Sequence, residues 1–393
     1  MRLGSAICAV LIFAAIGCTL TDVNREYGQD EVYLNKRPQF PIVELETIGF
    51  KLAWDLPLHG RELRNMYFLN GNIYTETKEH FLYKIRTREG IARWVYELGD
   101  KITAEPFVFV YDRDVHQGEG ANSRFRDEVY VLCNDALHCI DEEDGDNLWK
   151  LNLKYPASSP PFASFSHVYY ASWDNRLHAI SKKDLIQDWE YVTGDDVIAG
   201  GSQKEPVIFF VSCDNNIYCA DASRGTISWK IPSNKRIVTA PYFYRNRLYV
   251  GSQDHCLYAI KTIEGLIDWR FHCEAKVITT PIAVDMTVYC AADNRYFYAV
   301  DRKEGTLKWK IKNGYRLLLV GRHNVYILTR NKEIVAVDKE TGELRWTKSF
   351  KDVDFFMTNA ADSQDIRLGK AFYCIYLGFK SGWIFAIEEK ELF

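Results

Sequence analysis

The chain has 393 residues, with 49 Lys+Arg against 53 Asp+Glu and a net charge of −4. A chain this long ordinarily divides into domains. Its near-balanced charge, with no block of basic residues, excludes the electrostatic footprint of a nucleic-acid binder.

Taken from the start, Arg2 precedes "AICAVLIFAAI" (Ala6–Ile16), an apolar run of eleven residues. That run is too short to span a bilayer and suits the core of a secretory signal over residues 1–17. It ends "AIGC" at Ala15–Cys18. Ala15-Ile16-Gly17 fits a small-x-small cleavage site, but the whole resembles a bacterial lipoprotein box, in which Cys18 is lipidated. The lipoprotein reading is the favoured one, because Cys18 directly follows Gly17. Residues 18–46 are polar, lack the repeat described next, and read as a tether.

From residue 47 onward the chain repeats. "FKLAWDLPL" supplies Trp54. "HFLYKIRTREGIARWV", "DALHCIDEEDGDNLWK" and "NRLHAISKKDLIQDWE" end on Trp94, Trp149 and Trp189. "DNNIYCADASRGTISWK", "DHCLYAIKTIEGLIDWR", "DNRYFYAVDRKEGTLKWK" and "NKEIVAVDKETGELRWT" carry Trp229, Trp269, Trp309 and Trp346. Most neighbouring tryptophans stand 40 residues apart, with gaps of 55 before Trp149 and 37 before Trp346. A fixed period in this range marks a solenoid, propeller or array. Trp173 and Trp383 fall outside the frame.

Each unit reads as strand, Asp-Asn type turn, strand, Gly turn, strand, from its β-type composition and its turn residues. A further apolar run precedes each unit, as in "IVTAPYF" (Ile237–Phe243) and "VITTPIA" (Val277–Ala283). Four strands per 40 residues predict a β-propeller blade, and no segment keeps a helical period. "KAFYCIYLGFKSGWIFAIEE" is a unit without its final Trp, and "FKLAWDLPL" is a final strand without its unit. Joined, they close a ring of eight four-stranded blades and hide its edges. The eight tryptophans are expected between neighbouring blades, in a structural role.

The catalytic search is negative: GxxxxGK[ST], GxGxxG, HExxH, GxSxG and CxxC are all absent from the sequence. His138 and His178 take the frame position of Tyr218, Tyr258 and Tyr298, His255 sits in a turn beside Asp254, and no His pair has metal-ligand spacing. "DEEDGDN" (Asp141–Asn147) could gather calcium oxygens, but it occupies the Gly turn and reads as a solvated turn. Cys8 belongs to the signal. Cys139 and Cys219 take the small-residue position of Ala179, Ala259 and Ala299. Cys133 and Cys213 read as sharing one further position, and Cys290 and Cys374 another. Hairpin disulfides Cys133–Cys139 and Cys213–Cys219 compete with free core thiols, and the frame favours thiols. The 55-residue gap holds a surface insertion, "YDRDVHQGEGANSRFRDE" (Tyr111–Glu128). Its Asp112, Asp114, His116, Arg124 and Arg126 are the first candidates for contacting a partner, since loops on rigid scaffolds carry function. A second candidate is the irregular connection Phe355–Gly369.

The unit "AVDKETGELRW" (Ala336–Trp346), with "AVDRKEGTLKW" and "AIKTIEGLIDW", resembles the repeat of the PQQ-like propeller superfamily. The likeness runs through nearly all of Phe50–Phe393. Quinoprotein alcohol dehydrogenases of that superfamily typically set adjacent cysteines over the cofactor. No Cys-Cys pair occurs here, so no cofactor is expected and the enzyme reading is weak. The chain is more similar to the BamB branch, lipoproteins that support assembly of outer-membrane β-barrels. That resemblance implies a non-enzymatic scaffold, lipid-anchored at the periplasmic face of a bacterial outer membrane, with a BamA-like assembly complex as its protein partner. Thr19 after Cys18 fits the sorting rule for the outer membrane. The alternatives are a different exported propeller lipoprotein with a sensory or surface role and, less well supported, a PQQ-dependent dehydrogenase.

Overall fold

The computed structural model describes residues 37–58, 60–111, 126–360 and 372–390. Among these residues the strands form eight separate four-stranded antiparallel sheets. Seven sheets use four strands consecutive in sequence. They are blade I (Leu63 to Glu97), II (Phe107 to Asn152), III (Phe162 to Val192), IV (Ser202 to Pro232), V (Tyr242 to His272), VI (Ile282 to Lys312) and VII (Gly314 to Ser349). Blade VIII joins Phe355–Phe356, Cys374–Gly378 and Trp383–Glu389 to Phe50–Pro57. The ring therefore closes as the sequence predicts, with Trp54 paired to Ala386 across that seam.

Within a blade the strands are a to d from the centre outward. From blade II to blade VI, and between blades VIII and I, the a strands of neighbouring blades touch one another, and the d strands are the most exposed, as in Leu344–Ser349. In blades V and VI the a strands are shorter than expected, beginning at Tyr242 and Ile282. Pro241 and Pro281 stand just ahead of them and lack the N–H that a ladder needs.

One register explains the tryptophans. Outside blade I, each d-strand Trp lies opposite a small residue on strand c: Cys139, Ala179, Cys219, Ala259, Ala299 and Ala336 face Trp149, Trp189, Trp229, Trp269, Trp309 and Trp346. The indole then covers the Gly turn of the next blade. A Cβ on Gly305 would lie 2.5 Å from Trp269 Cδ2, and Gly145, Gly225, Gly265 and Gly342 meet Trp94, Trp189, Trp229 and Trp309 the same way. The indole N–H also bonds across the blade gap. Trp54 donates to the Thr87 carbonyl (2.7 Å), Trp229 to Thr262 (2.9 Å), Trp269 to Arg302 (3.1 Å) and Trp309 to Lys339 (3.0 Å). Trp189 makes no such bond, and the equivalent carbonyl, on Ala222, accepts the Tyr169 hydroxyl.

The apolar cores lie between blades. One cluster joins Tyr249, Leu257 and Trp269 of blade V to Val288, Tyr298 and Val300 of blade VI. Trp383 is buried against Phe385, whereas Trp173 is exposed at a b–c turn. Residues 37–49, at the end of the stretch read as a tether, pack on blades VII and VIII. Phe40 stacks on Phe385 at 4.5 Å, and helix α1 (Ile42–Thr47) buries Leu45.

The eight cysteines among the described residues are thiols. Cys133 sits in the core between blades I and II and Cys139 in the core between II and III. Opposite faces of one sheet cannot be bridged, which disposes of the hairpin disulfide. The shared frame positions need correction. Cys133 pairs with Ala136 on the strand, while Cys213 lies beyond the strand end at Val211. Cys290 faces Tyr298, while Cys374 faces Glu388. The b–c turn of blade II is shorter than that of blade IV, which shifts the count.

Candidate functional site

Antiparallel blades put their a–b and c–d turns at one end of the ring and their b–c turns at the other. The insertion 112–125 joins strands Phe107–Phe109 and Glu128–Cys133 and so leaves from the a–b end of blade II. Asp112, Asp114, His116 and Arg124 lie outside the described residues. Its base is fixed. The Tyr111 N–H donates to Asp127 Oδ1 (2.9 Å), and Arg126 Nη1 pairs with Asp141 Oδ2 (2.8 Å). Of the five candidate side chains, Arg126 is thus an anchor at the foot of the insertion.

Asp141 explains the acidic turn. Its Oδ1 accepts the N–H groups of Glu143 (2.9 Å) and Asp144 (3.1 Å). Asp221, Asp301 and Asp338 accept the equivalent pairs in blades IV, VI and VII. These oxygens hold a turn that Asn or Asp side chains commonly build. Among the described residues no group of three or more His, Cys, Asp or Glu is placed to hold a metal ion.

Blade II is also clamped on both sides by buried ion pairs. Lys84 of blade I reaches Glu142 Oε1 (2.7 Å) and the Glu142 carbonyl (2.6 Å), and the Tyr74 hydroxyl donates to the same carboxylate (2.8 Å). Lys182 of blade III reaches Glu128 Oε2 (2.6 Å) under the Phe109 ring. Burial pulls the Lys182 amine below its ordinary pKa, against the pull of Glu128. Sequence reasoning missed both clamps. A signal existed for the first, since Lys84 faces Trp94 where other blades place Ala or Cys.

The second candidate, 355–369, is described as far as Ala360 and leaves from the same end of blade VIII. Buried Asn359 ties blade VIII to blade VII: its N–H donates to the Leu318 carbonyl (2.7 Å), and its Nδ2 to Phe372 (2.7 Å) and Cys374 (3.1 Å).

The buried histidines His138, His167 and His178 are absorbed by packing. His178 stacks between Tyr155 and Tyr170, with its ring nitrogens against Ser172 Oγ (2.7 Å) and Gln187 Oε1 (3.1 Å). His138 is buried against the Tyr96 hydroxyl (3.1 Å), and burial, with Lys150 nearby, pushes its pKa down to about 4. His255 holds a left-handed turn position beside Asp254. Ser166, His167 and Asp188 form a hydrogen-bonded row, but the imidazole is covered by Tyr169 and Trp189, so the row fastens a turn to the outer strand.

The comparisons agree with this geometry. The family described as "Outer membrane protein assembly factor BamB" matches residues 110–208, 196–270 and 243–346, well over half of the chain. No curated protein matches the sequence significantly. Among solved structures, BamB from Moraxella catarrhalis is similar with a TM-score of 0.63 at 12% identity, over 86% of this chain and 99% of that one. The computationally designed Ika8 protein is similar with a TM-score of 0.60 at 11% identity, over 85% and 98%. Identities this low speak for the fold alone, whereas the family match rests on the sequence itself. The chain is an eight-bladed propeller that belongs to the PQQ-like repeat family described as outer membrane protein assembly factor BamB.

Proposed function

We propose that the chain is a non-enzymatic scaffold: an exported propeller, lipid-anchored through Cys18, that holds a protein partner in a BamB-like role. The partner class is a BamA-like β-barrel assembly complex at the periplasmic face of an outer membrane. One observation carries the binding role. The blade that bears the insertion is locked to both neighbours by Lys84–Glu142 and Lys182–Glu128, and the foot of the insertion is pinned by Arg126–Asp141. A rigid scaffold displaying a loop is the usual architecture of recognition. The titratable side chains of Asp141, Lys84 and Lys182, by contrast, are engaged in turns and blade contacts.

The test is a crosslinking pull-down of the native protein from membranes beside a Cys18→Ser control. Recovery of a large β-barrel assembly protein, with loss of membrane attachment in the control, supports the reading. Membrane attachment without such a partner favours a different exported propeller lipoprotein. A calcium-dependent absorbance change on adding PQQ would overturn the non-enzymatic role.

A further inference from the structure

A cleft of about 570 Å³ opens at the a–b and c–d turn end, between blades V and VI. Its volume falls in the range of ligand-binding clefts. Five cations line it: Arg245, Arg247 and Lys261 from blade V, and Arg302 and Lys303 from blade VI. Glu264 and Glu304 are the acidic lining, and Asp268 behind it pairs with Arg247 and Lys261. The cleft thus keeps an excess of positive charge in a chain whose net charge is −4.

Arg302 is the telling group. It is only 9% exposed. Its Nε donates to the Asp285 carbonyl (2.7 Å), its Nη2 approaches Met286 Sδ (3.6 Å), and it lies over the Tyr244 ring. No carboxylate pairs with it among the described residues. Its own carbonyl is taken by Trp269 and by Arg247 Nη1 (2.6 Å), so a second guanidinium is held against it. A buried cation is costly unless an anion accompanies it, and guanidinium forks suit carboxylates. Beside the cations Ile263 is 84% exposed and Leu266 61% exposed. Such residues at a cationic rim fit an extended occupant with both acidic and apolar side chains, since a small inorganic anion would leave them in water.

We propose that this cleft binds an acidic segment of a partner protein, its carboxylates on Arg302 and Lys303 and an apolar side chain on Ile263. This rests on the protein-binding reading above and names the surface and the chemistry it uses. The geometry of the pair of turns also gives the site its selectivity: charge draws the segment in, and the exposed isoleucine favours an apolar neighbour.

The test uses the full chain and a labelled peptide alternating Asp and Leu, read by fluorescence anisotropy. Comparison probes are an Asp/Ser peptide, a Lys/Leu peptide and inorganic phosphate. Wild type should bind the Asp/Leu peptide best, with affinity falling as salt rises. The Lys303→Glu variant reverses one exposed side chain that makes no ion pair among the described residues, and it should lose severalfold in affinity with its melting curve unchanged. Ile263→Ser should lose severalfold for Asp/Leu but not for Asp/Ser. Equal binding by wild type and the charge-reversed variant overturns the proposal, as does displacement by phosphate at matched charge. In the membrane pull-down, a charge-reversed variant that still recovers the wild-type partner sinks this cleft and leaves the scaffold role standing. A wild type that recovers no partner sinks the role itself.

Discussion

Gly305→Ala isolates the contact that repeats around the ring. Gly305 has φ +68, and a Cβ there would lie 2.5 Å from Trp269 Cδ2 and 2.6 Å from Cγ. Real Cβ contacts do not come that close, so the indole must move. The indole is held by its N–H bond to Arg302 and is 9% exposed, which leaves it little room. Two costs add. An L-residue in the left-handed region costs about 1–2 kcal/mol, and overpacking a tight core costs about 1–3 kcal/mol. The expected loss is roughly 2–5 kcal/mol. Gly49 supplies the control, because it has φ +83 and a Cβ added there would meet nothing within 4 Å. Gly49→Ala should therefore cost only the backbone share, about 1–2 kcal/mol. The assay is urea unfolding followed by tryptophan fluorescence, comparing midpoints at equal slope. If Gly305→Ala and Gly49→Ala unfold at the same midpoint, the Trp–Gly contact does not hold the blades as argued.

Trp269→Ala should cost roughly 3–5 kcal/mol in the same assay, and an unchanged urea midpoint would contradict the packing account. Lys84→Met should cost about 3–5 kcal/mol, because Glu142 is left buried without its cation. Adding Glu142→Gln should recover most of that loss, and a double variant no better than the single would refute the pairing. His138 is a base whose folded pKa falls from 6.5 to about 4, so the stability tied to it is complete above about 6.5 and declines as pH drops toward 4. His138→Tyr, the residue of the equivalent Tyr218, Tyr258 and Tyr298, should flatten that stretch of the stability–pH curve. Burial pushes the thiols of Cys133, Cys219 and Cys374 up to about 12 and that of Cys256 up to about 11. With a thiol reagent at pH 8 the native protein should react slowly and first at half-exposed Cys256, and the rest should react on unfolding.

The tryptophan spacing made the blade count and the ring closure legible, because a period of 40 residues is a covalent fact that the fold must honour. The Tyr and His frame positions were legible for the same reason: they repeat along one strand. Contacts between blades were not. Lys84 and Glu142 are 58 residues apart, and only the offset of one sheet against the next brings them together. The cleft was hidden likewise, since its cations come from turns of two blades and are unremarkable in each turn alone. Turn length misled the cysteine frame, where one shorter b–c turn moved Cys133 out of step with Cys213. In blade III, Leu185 stands at the turn position of Gly225 with φ +60, so the sequence rule that this turn takes Gly is a preference that packing can override.

The irregular features share one end of the ring. The insertion at 112–125 and the connection 357–373 both replace a–b turns, in blades II and VIII. The cationic cleft is built from an a–b turn and two c–d turns of blades V and VI. The opposite end keeps its frame through blades IV to VI: Asp214 and Asp254 each accept a hydroxyl bond from the Tyr four residues on, and Asn294 bonds the matching Tyr298. A turn repeated from blade to blade is under the constraint of its own hydrogen bonds. A turn that departs from the repeat has given up those bonds, and at this end the loss is offset by new anchors, Arg126–Asp141 at blade II and Asn359 at blade VIII. Recognition would therefore be sought at the a–b turns of this end, whose sequence is not bound to the frame while the repeated c–d turns beside them are.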